Sequence, residues 1–289
     1  VIDLAREDWQ ARARAHAARV DVWIAPHLAR RERGEAHPVH DFLFTYYSQR
    51  PAALRRWHPG HSVRLLDAPE YAALPAYSGA TVTAEVSPAY LASQLPLVGR
   101  LHVLLSATAS RPPTLGCFGL HEWAMVYRGD ETRHPWPLRL GGAATDGVVE
   151  EHRIGCSHFD AFRFFTPPAR PLNTLQPGRD DRSAFEQPGC LHAGMDLYKH
   201  AFRLSPLIPS DLVADAFALA WDIRILDMRA APYDFSGLRL DPDGEPWTPV
   251  PIETAEGKTE YVAQQRAFAE RGEPIRRRLI DACAALLAG

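Results

Sequence analysis

From Asp3 to Arg33, Leu4, Ala11, Ala15, Ala18, Val22 and Leu28 recur near the 3.6-residue period of a helix, and arginines fill much of the rest. The pattern predicts a long helix over 3–33, kinked or broken at Pro26, whose ring removes a backbone donor. VHDFLFTYY, 39–47, is apolar on most sides and predicts a buried helix. A short helix is expected to follow Pro51, because the fixed φ of proline suits a first turn. β-branched residues in 63–66 and in TVTAEV, 81–86, predict strands. Pro88 opens a further helix through 89–95. Periodicity then lapses between 111 and 190, where PP, HPWP, GGAATDG, TPPARP and QPGRDD crowd together. Breakers this dense predict loops or short strands. Within that region 148–165 reads as a strand, or a strand then a turn, and 173–189 as an exposed loop.

Helical patterning returns at 191–204. Ser210, after Pro209, is placed to cap a helix running to about Arg229, with Asp211 suited to its first turn. A loop is expected over 236–252. Two last helices, 258–272 and 274–288, are separated by Gly272 and Pro274. The fold class is therefore mainly α with a small mixed strand-and-loop insert, α+β. A single unit over 1–289 is the expectation, helical at 1–60 and 190–289 around an irregular 61–189.

A chain of 289 residues with 46% hydrophobic content can bury a large core, as one large domain or two. The formal net charge of -3 argues against a broad nucleic-acid surface, although a local basic patch remains open. The arginines of the first helix either meet phosphate or form a solvated face. The four cysteines do not amount to a disulfide framework, and no apolar run reaches the roughly 18–20 residues of a membrane span. The expectation is a soluble, cytoplasmic protein without a membrane partner.

Chemistry concentrates in the irregular middle. Cys117 precedes His121 by four residues, Cys156 precedes His158 by two, and Cys190 precedes His192 by two. On a strand, Cys156, His158 and Asp160 would share a face; on a helix, His192, Asp196 and His200 would form one stripe. Thiolate with imidazole suits zinc, and imidazole with carboxylate also suits iron or manganese. His121, His158, His192 and Asp196 are the first candidate ligands, then His200. The alternative is a hydrogen-bonded core, since no CxxC or HExxH spacing is present.

Asp160 and Arg163 read either as a general base with its anion anchor or as a structural ion pair. Asp227, three residues from Arg224, either pairs with it or faces a pocket. Aromatic residues around HDFLFTYY, WHPG and LHEWAMVYRG wall a pocket for a flat heterocycle or fill a core. There is no P-loop, Rossmann fingerprint, GxSxG elbow or kinase signature, which disfavours ATP, NAD and serine-hydrolase chemistry.

Five phrases together, HPVHDFLFTYYSQRPAALRRWHPG, FGLHEWAMVYRG, CSHFDAFRFFTPPARPLN, EQPGCLHAGMDLYK and DIRILDMRAAPYD, resemble an actinobacterial family labelled 3-methyladenine DNA glycosylase. The resemblance covers about residues 15 to 285. It implies an N-glycosidic hydrolase of DNA repair that excises alkylated purine from DNA. Such an enzyme flips the base out, stacks it on aromatics and works with a carboxylate. Asp160, Asp196 or Asp227 would supply the carboxylate, and Tyr46, Trp57, Trp123 or Phe159 the stacking. The residues read on their own give two other classes: a metal-dependent enzyme (Zn, Fe or Mn) on a small molecule, or a non-catalytic binding protein.

Overall fold

The computed structural model describes residues 1–79, 82–129, 132, 134–239 and 244–289. A short strand β1 (Ile2–Leu4) leads into α1 (Arg6–Glu32), followed by α2 (Phe42–Thr45) and α3 (Pro51–Arg55). Next come β2 (Val63–Leu66), α4 (Pro69–Ala72), β3 (Tyr77–Ser78), β4 (Thr83–Val86) and α5 (Pro88–Ala109). The middle of the chain holds α6 (Leu120–Ala124), α7 (Gly142–Glu151), α8 (Phe159–Phe162) and α9 (Arg182–Phe185). Three longer helices close it: α10 (Leu191–Leu204), α11 (Ser210–Arg229) and α12 (Ala255–Ala288). The architecture is mainly α with one small mixed sheet, the α+β class that the pattern predicts.

The residues divide into two compact units. The first comprises Val1–Ser106, Met195–Trp221 and Pro274–Gly289; the second comprises Ala107–Gly194 and Asp222–Glu273. The first unit carries the sheet, in the order β1-β2-β4-β3. β1 runs parallel to β2, with Leu4 opposite Leu65, and β4 runs antiparallel to β2, with Ala84 opposite Leu65. Leu65 and Ala84 are fully buried, so this register sets the inward face. Trp9 Nε1 donates to the Leu66 carbonyl at 2.9 Å and ties α1 to β2.

α1 continues unbroken through Pro26. Its buried residues are Trp9, His16, Val20, Ile24 and His27, while Val22 and Leu28 are exposed. Burial on either side of Pro26 outweighs the backbone bond it lacks. α5 and α12 likewise run through Pro96 and Pro274, so the predicted break between 258–272 and 274–288 does not occur. α5 also extends well past the expected 89–95. The predicted helix over 39–47 shrinks to the single turn α2. Thr81, the first residue of the predicted strand 81–86, and 240–243 of the predicted loop 236–252 lie outside the described residues.

The second unit buries Trp123, Val149, Ile154, Tyr233, Phe235 and Tyr261. The expected strand over 148–165 is absent there. α7 runs to Glu151, a loop follows with one bridge from Ile154 to Asn173, and α8 begins at Phe159. Asn173 explains the change. Its Oδ1 accepts from Cys156 N–H at 2.7 Å and its Nδ2 donates to the Cys156 carbonyl at 2.9 Å. A side chain thus satisfies the backbone groups that a neighbouring strand would have used. Cys156, His158 and Asp160 therefore do not line one strand face. Among the described residues, no helix is long and apolar enough to cross a membrane.

Candidate metal centre

The site lies wholly within the second unit. Between Cys117 and α6 the chain turns through Phe118 at φ 49° and Gly119 at φ 71°. Only glycine adopts that conformation freely, and a Cβ on Gly119 would also sit 3.2 Å from Ala230 Cβ. The turn lets α6 begin at once, so His121 and Glu122 enter the core from its first positions. Trp123 anchors the same turn by donating from Nε1 to the Ala230 carbonyl at 2.9 Å. His192 comes from the first turn of α10, and Arg224 and Asp227 come from the end of α11, one turn apart.

His121 Nε2 lies 3.0 Å from Asp227 Oδ1, and the His121 and His192 rings are 4.6 Å apart and nearly perpendicular. His121, His192 and Asp227 each offer one ligand atom, all within 4.8 Å of one another. His121 and Asp227 are sealed from solvent, whereas His192 is half-buried. His121 Nε2 and Asp227 Oδ1 face each other as an ion pair, but the contact lacks the angles of a hydrogen bond. Their 3.0 Å separation is that of an imidazole–carboxylate pair; a tetrahedral ion with bonds of about 2.1 Å would hold two donors about 3.4 Å apart, a small opening of this pair.

The surroundings tune these groups. Arg224 Nη1 donates to Asp227 Oδ2 at 2.8 Å and lies 3.7 Å from Glu122 Oε1. Glu122 Oε1 is 3.9 Å from His121 Nε2, and Glu122 Oε2 is unpartnered. Two buried carboxylates thus face one guanidinium. Burial works against charge on His121, yet the Asp227 carboxylate holds its pKa well above the ordinary imidazole value. Asp227 is held well below the carboxylate range against its own burial, first by His121 and then by Arg224. A proton on His121 offsets the carboxylate excess, and a bound cation would do the same. On the far side of the ring, Cys117 Sγ lies 3.7 Å from His121 Nδ1. This is where a ligating histidine usually finds the partner that fixes its tautomer.

A cavity of about 220 Å³ opens onto His121, His192 and Cys117. Pro112, Leu175, Phe185 and Leu191 give it an apolar wall; Cys156, Cys190 and Tyr261 line it too, with Arg111, Thr114, Ser157 and Gln187 as its further polar residues. Burial pushes the Cys156 and Cys190 thiols up, so both stay protonated at neutral pH.

The structure brings together His121, His192 and Asp227 from the residues marked in the sequence. His158 is adjacent, its ring 5.4 Å from that of His192, but its Nε2 faces Glu186 Oε1 at 3.4 Å and it stands outside the ligand group. Glu186 is also paired with Arg182. Asp196 and His200 do continue the His192 stripe along α10, but they belong to the first unit. There Asp196 accepts from the Tyr47 hydroxyl at 3.1 Å and from Lys199 at 3.3 Å. Asp160 and Arg163 form a pair at 3.4 Å with Arg163 exposed and lying over Phe164.

The candidate stacking residues are dispersed. Tyr46 stacks on Phe42 in the first unit, and Trp57 is buried there with its carbonyl taken by the Tyr71 hydroxyl. In the second unit Trp123 is core and Phe159 is half-buried at the start of α8. Sequence reasoning missed Tyr261, which shows only as one more apolar position on a helix. It also missed the convergence of Asp227 with two histidines, because no spacing links positions 121, 192 and 227. The chain matches no protein-family model, no curated protein and no solved structure. Function is therefore argued from the site itself.

Proposed function

We propose that the protein is a metal-dependent enzyme acting on a small molecule, with one divalent ion held by His121, His192 and Asp227. The observation that carries this reading is the buried convergence of three donors, with His121 Nε2 and Asp227 Oδ1 paired at 3.0 Å but not aligned as a hydrogen bond. Their misalignment leaves part of the desolvation cost, about 1–3 kcal/mol for an unmatched group, unrecovered, and an ion would satisfy both. Two imidazoles and a carboxylate suit zinc, iron or manganese and leave open positions for water or substrate. His192 and the cavity give that open side its access. Arg224 would hold Asp227 in place from behind, and Cys117 would fix the His121 ring. The ion would supply Lewis acidity, polarising a substrate oxygen or activating a bound water.

Elemental analysis of the purified full chain tests this directly. The expected result is near one zinc, iron or manganese per chain, lost in His121→Ala, His192→Ala and Asp227→Asn and retained in His158→Ala. A metal-free wild type whose Cys117 alkylates rapidly with iodoacetamide would instead make His121 and Asp227 the base for a thiol nucleophile. Excision of alkylated purine, which the family resemblance implies, is checked in the same preparation. Release of 3-methyladenine from methylated duplex DNA, unaffected by chelator, would favour that chemistry over the metal reading.

A further inference from the structure

Among the polar groups of the cavity wall outside the ligand set is a tyrosine hydroxyl. Tyr261, in α12, is completely buried; the Gly119 backbone N–H faces its hydroxyl oxygen, and the hydroxyl hydrogen has no acceptor. Phenylalanine would fill the same space without the cost of burying an unmatched hydroxyl. The hydroxyl lies against the bend at Gly119, where a Cβ would be 3.8 Å from it. It therefore stands beside the turn that delivers Cys117 and His121.

The charges around the site restrict what can meet it. A divalent ion with the Arg224 guanidinium, set against the formal charges of Asp227 and Glu122, leaves one positive charge in a buried site. One guanidinium, that of Arg111, also lines the cavity. It is committed to the Ala107, Ser183 and Glu186 carbonyls. Hydrogen bonds to neutral carbonyls leave the Arg111 charge in place, so the site attracts an anion, and the remaining wall is largely apolar. The volume of about 220 Å³ is below the roughly 300–1,000 Å³ of clefts that take drug-sized ligands.

From this we infer that the cavity binds a small apolar molecule bearing a single carboxylate, with an oxygen on the open side of the ion and the Tyr261 hydroxyl donating to that carboxylate. The inference rests on the metal reading above and names the ligand class of the same site. A phenol is protonated at neutral pH and donates readily to an anion.

The test uses the full chain loaded with cobalt(II), whose visible absorption reports ligands entering the metal's coordination shell. The probes are benzoate, benzamide and phenyl phosphate, which share a ring and differ in charge. Benzoate is expected to perturb the spectrum at the lowest concentration. Tyr261→Phe should weaken benzoate about tenfold while binding the same amount of cobalt, and should melt at a higher temperature than wild type. Equal benzoate affinity in wild type and Tyr261→Phe would overturn the role of the hydroxyl. Tighter binding of benzamide or phenyl phosphate would overturn the ligand class. Failure to take up cobalt at all would remove the metal reading and this inference with it, which is a different result from either.

Discussion

At the scale of single residues, the site depends on both nitrogens of one ring. His121 Nε2 faces Asp227, and His121 Nδ1 faces Cys117 Sγ at 3.7 Å. Removing an outer partner of a metal-ligating histidine typically costs about 10–100-fold in metal affinity. Cys117→Ala should therefore keep its fold and still bind metal, but lose about tenfold or more in affinity. Competition against a chromogenic chelator measures this, and an unchanged affinity would leave Cys117 without a part in the centre. Part of this arrangement was legible in the sequence. The four-residue spacing of Cys117 and His121 marked them as neighbours, and it holds even though a positive-φ turn rather than a regular helix joins them. His192 was marked by its helical stripe, but the stripe chose the wrong companions. Asp196 and His200 follow it along α10 into the first unit, whereas Asp227 reaches it from α11. Spacing reports which side chains share a face, and this centre is assembled from faces of three different helices.

At the scale of elements, most helices and both longer strands were readable from periodicity, β-branching and caps. Pro26 and Pro274 do not break their helices, and α5 runs past its expected end at 95 through Pro96. α12 shows what a local rule does predict well. Thr254 precedes the helix, and its Oγ1 accepts from Gly257 N–H at 3.0 Å, satisfying a donor of the first turn. Thr254→Ala should cost about 1 kcal/mol of stability. Gly257→Ala is a sharper trial. Alanine is favoured over glycine inside a helix by about 1 kcal/mol, yet a Cβ here would fall 2.0 Å from the Pro251 carbonyl oxygen. The substitution should destabilise by more than the loss of the cap, because backbone must move, and it should shift Tyr261 one turn further on. Urea denaturation of both variants decides the order. A Gly257→Ala protein more stable than wild type would mean that the start of α12 has room the structure does not show.

At the scale of the molecule, the helical ends and broken middle of the pattern give the fold class correctly, but they do not reveal how the residues sort into units. Each unit draws on segments far apart in the chain, such as 1–106 with 195–221 and 274–289, and only tertiary packing joins them. Burial within the first unit has a consequence for pH that composition alone would miss. Burial lowers the pKa of His16, takes His40 to about 3 and takes His58 to about 4. The positive charges of His37 and Arg30 near His40, and of Arg56 near His58, act in the same direction. In the unfolded chain these imidazoles regain an ordinary pKa near 6.5. Below that value the unfolded state binds protons that the folded state refuses, so stability is fully present above about pH 6.5 and is lost as pH falls towards the folded values. His40 and His58 can each contribute up to about 1.4 kcal/mol per pH unit to that loss. Chemical denaturation at about pH 7, 6 and 5 should show falling stability, and the slope should flatten in His40→Gln with His58→Gln. An equally steep slope in the double variant would place the acid sensitivity elsewhere.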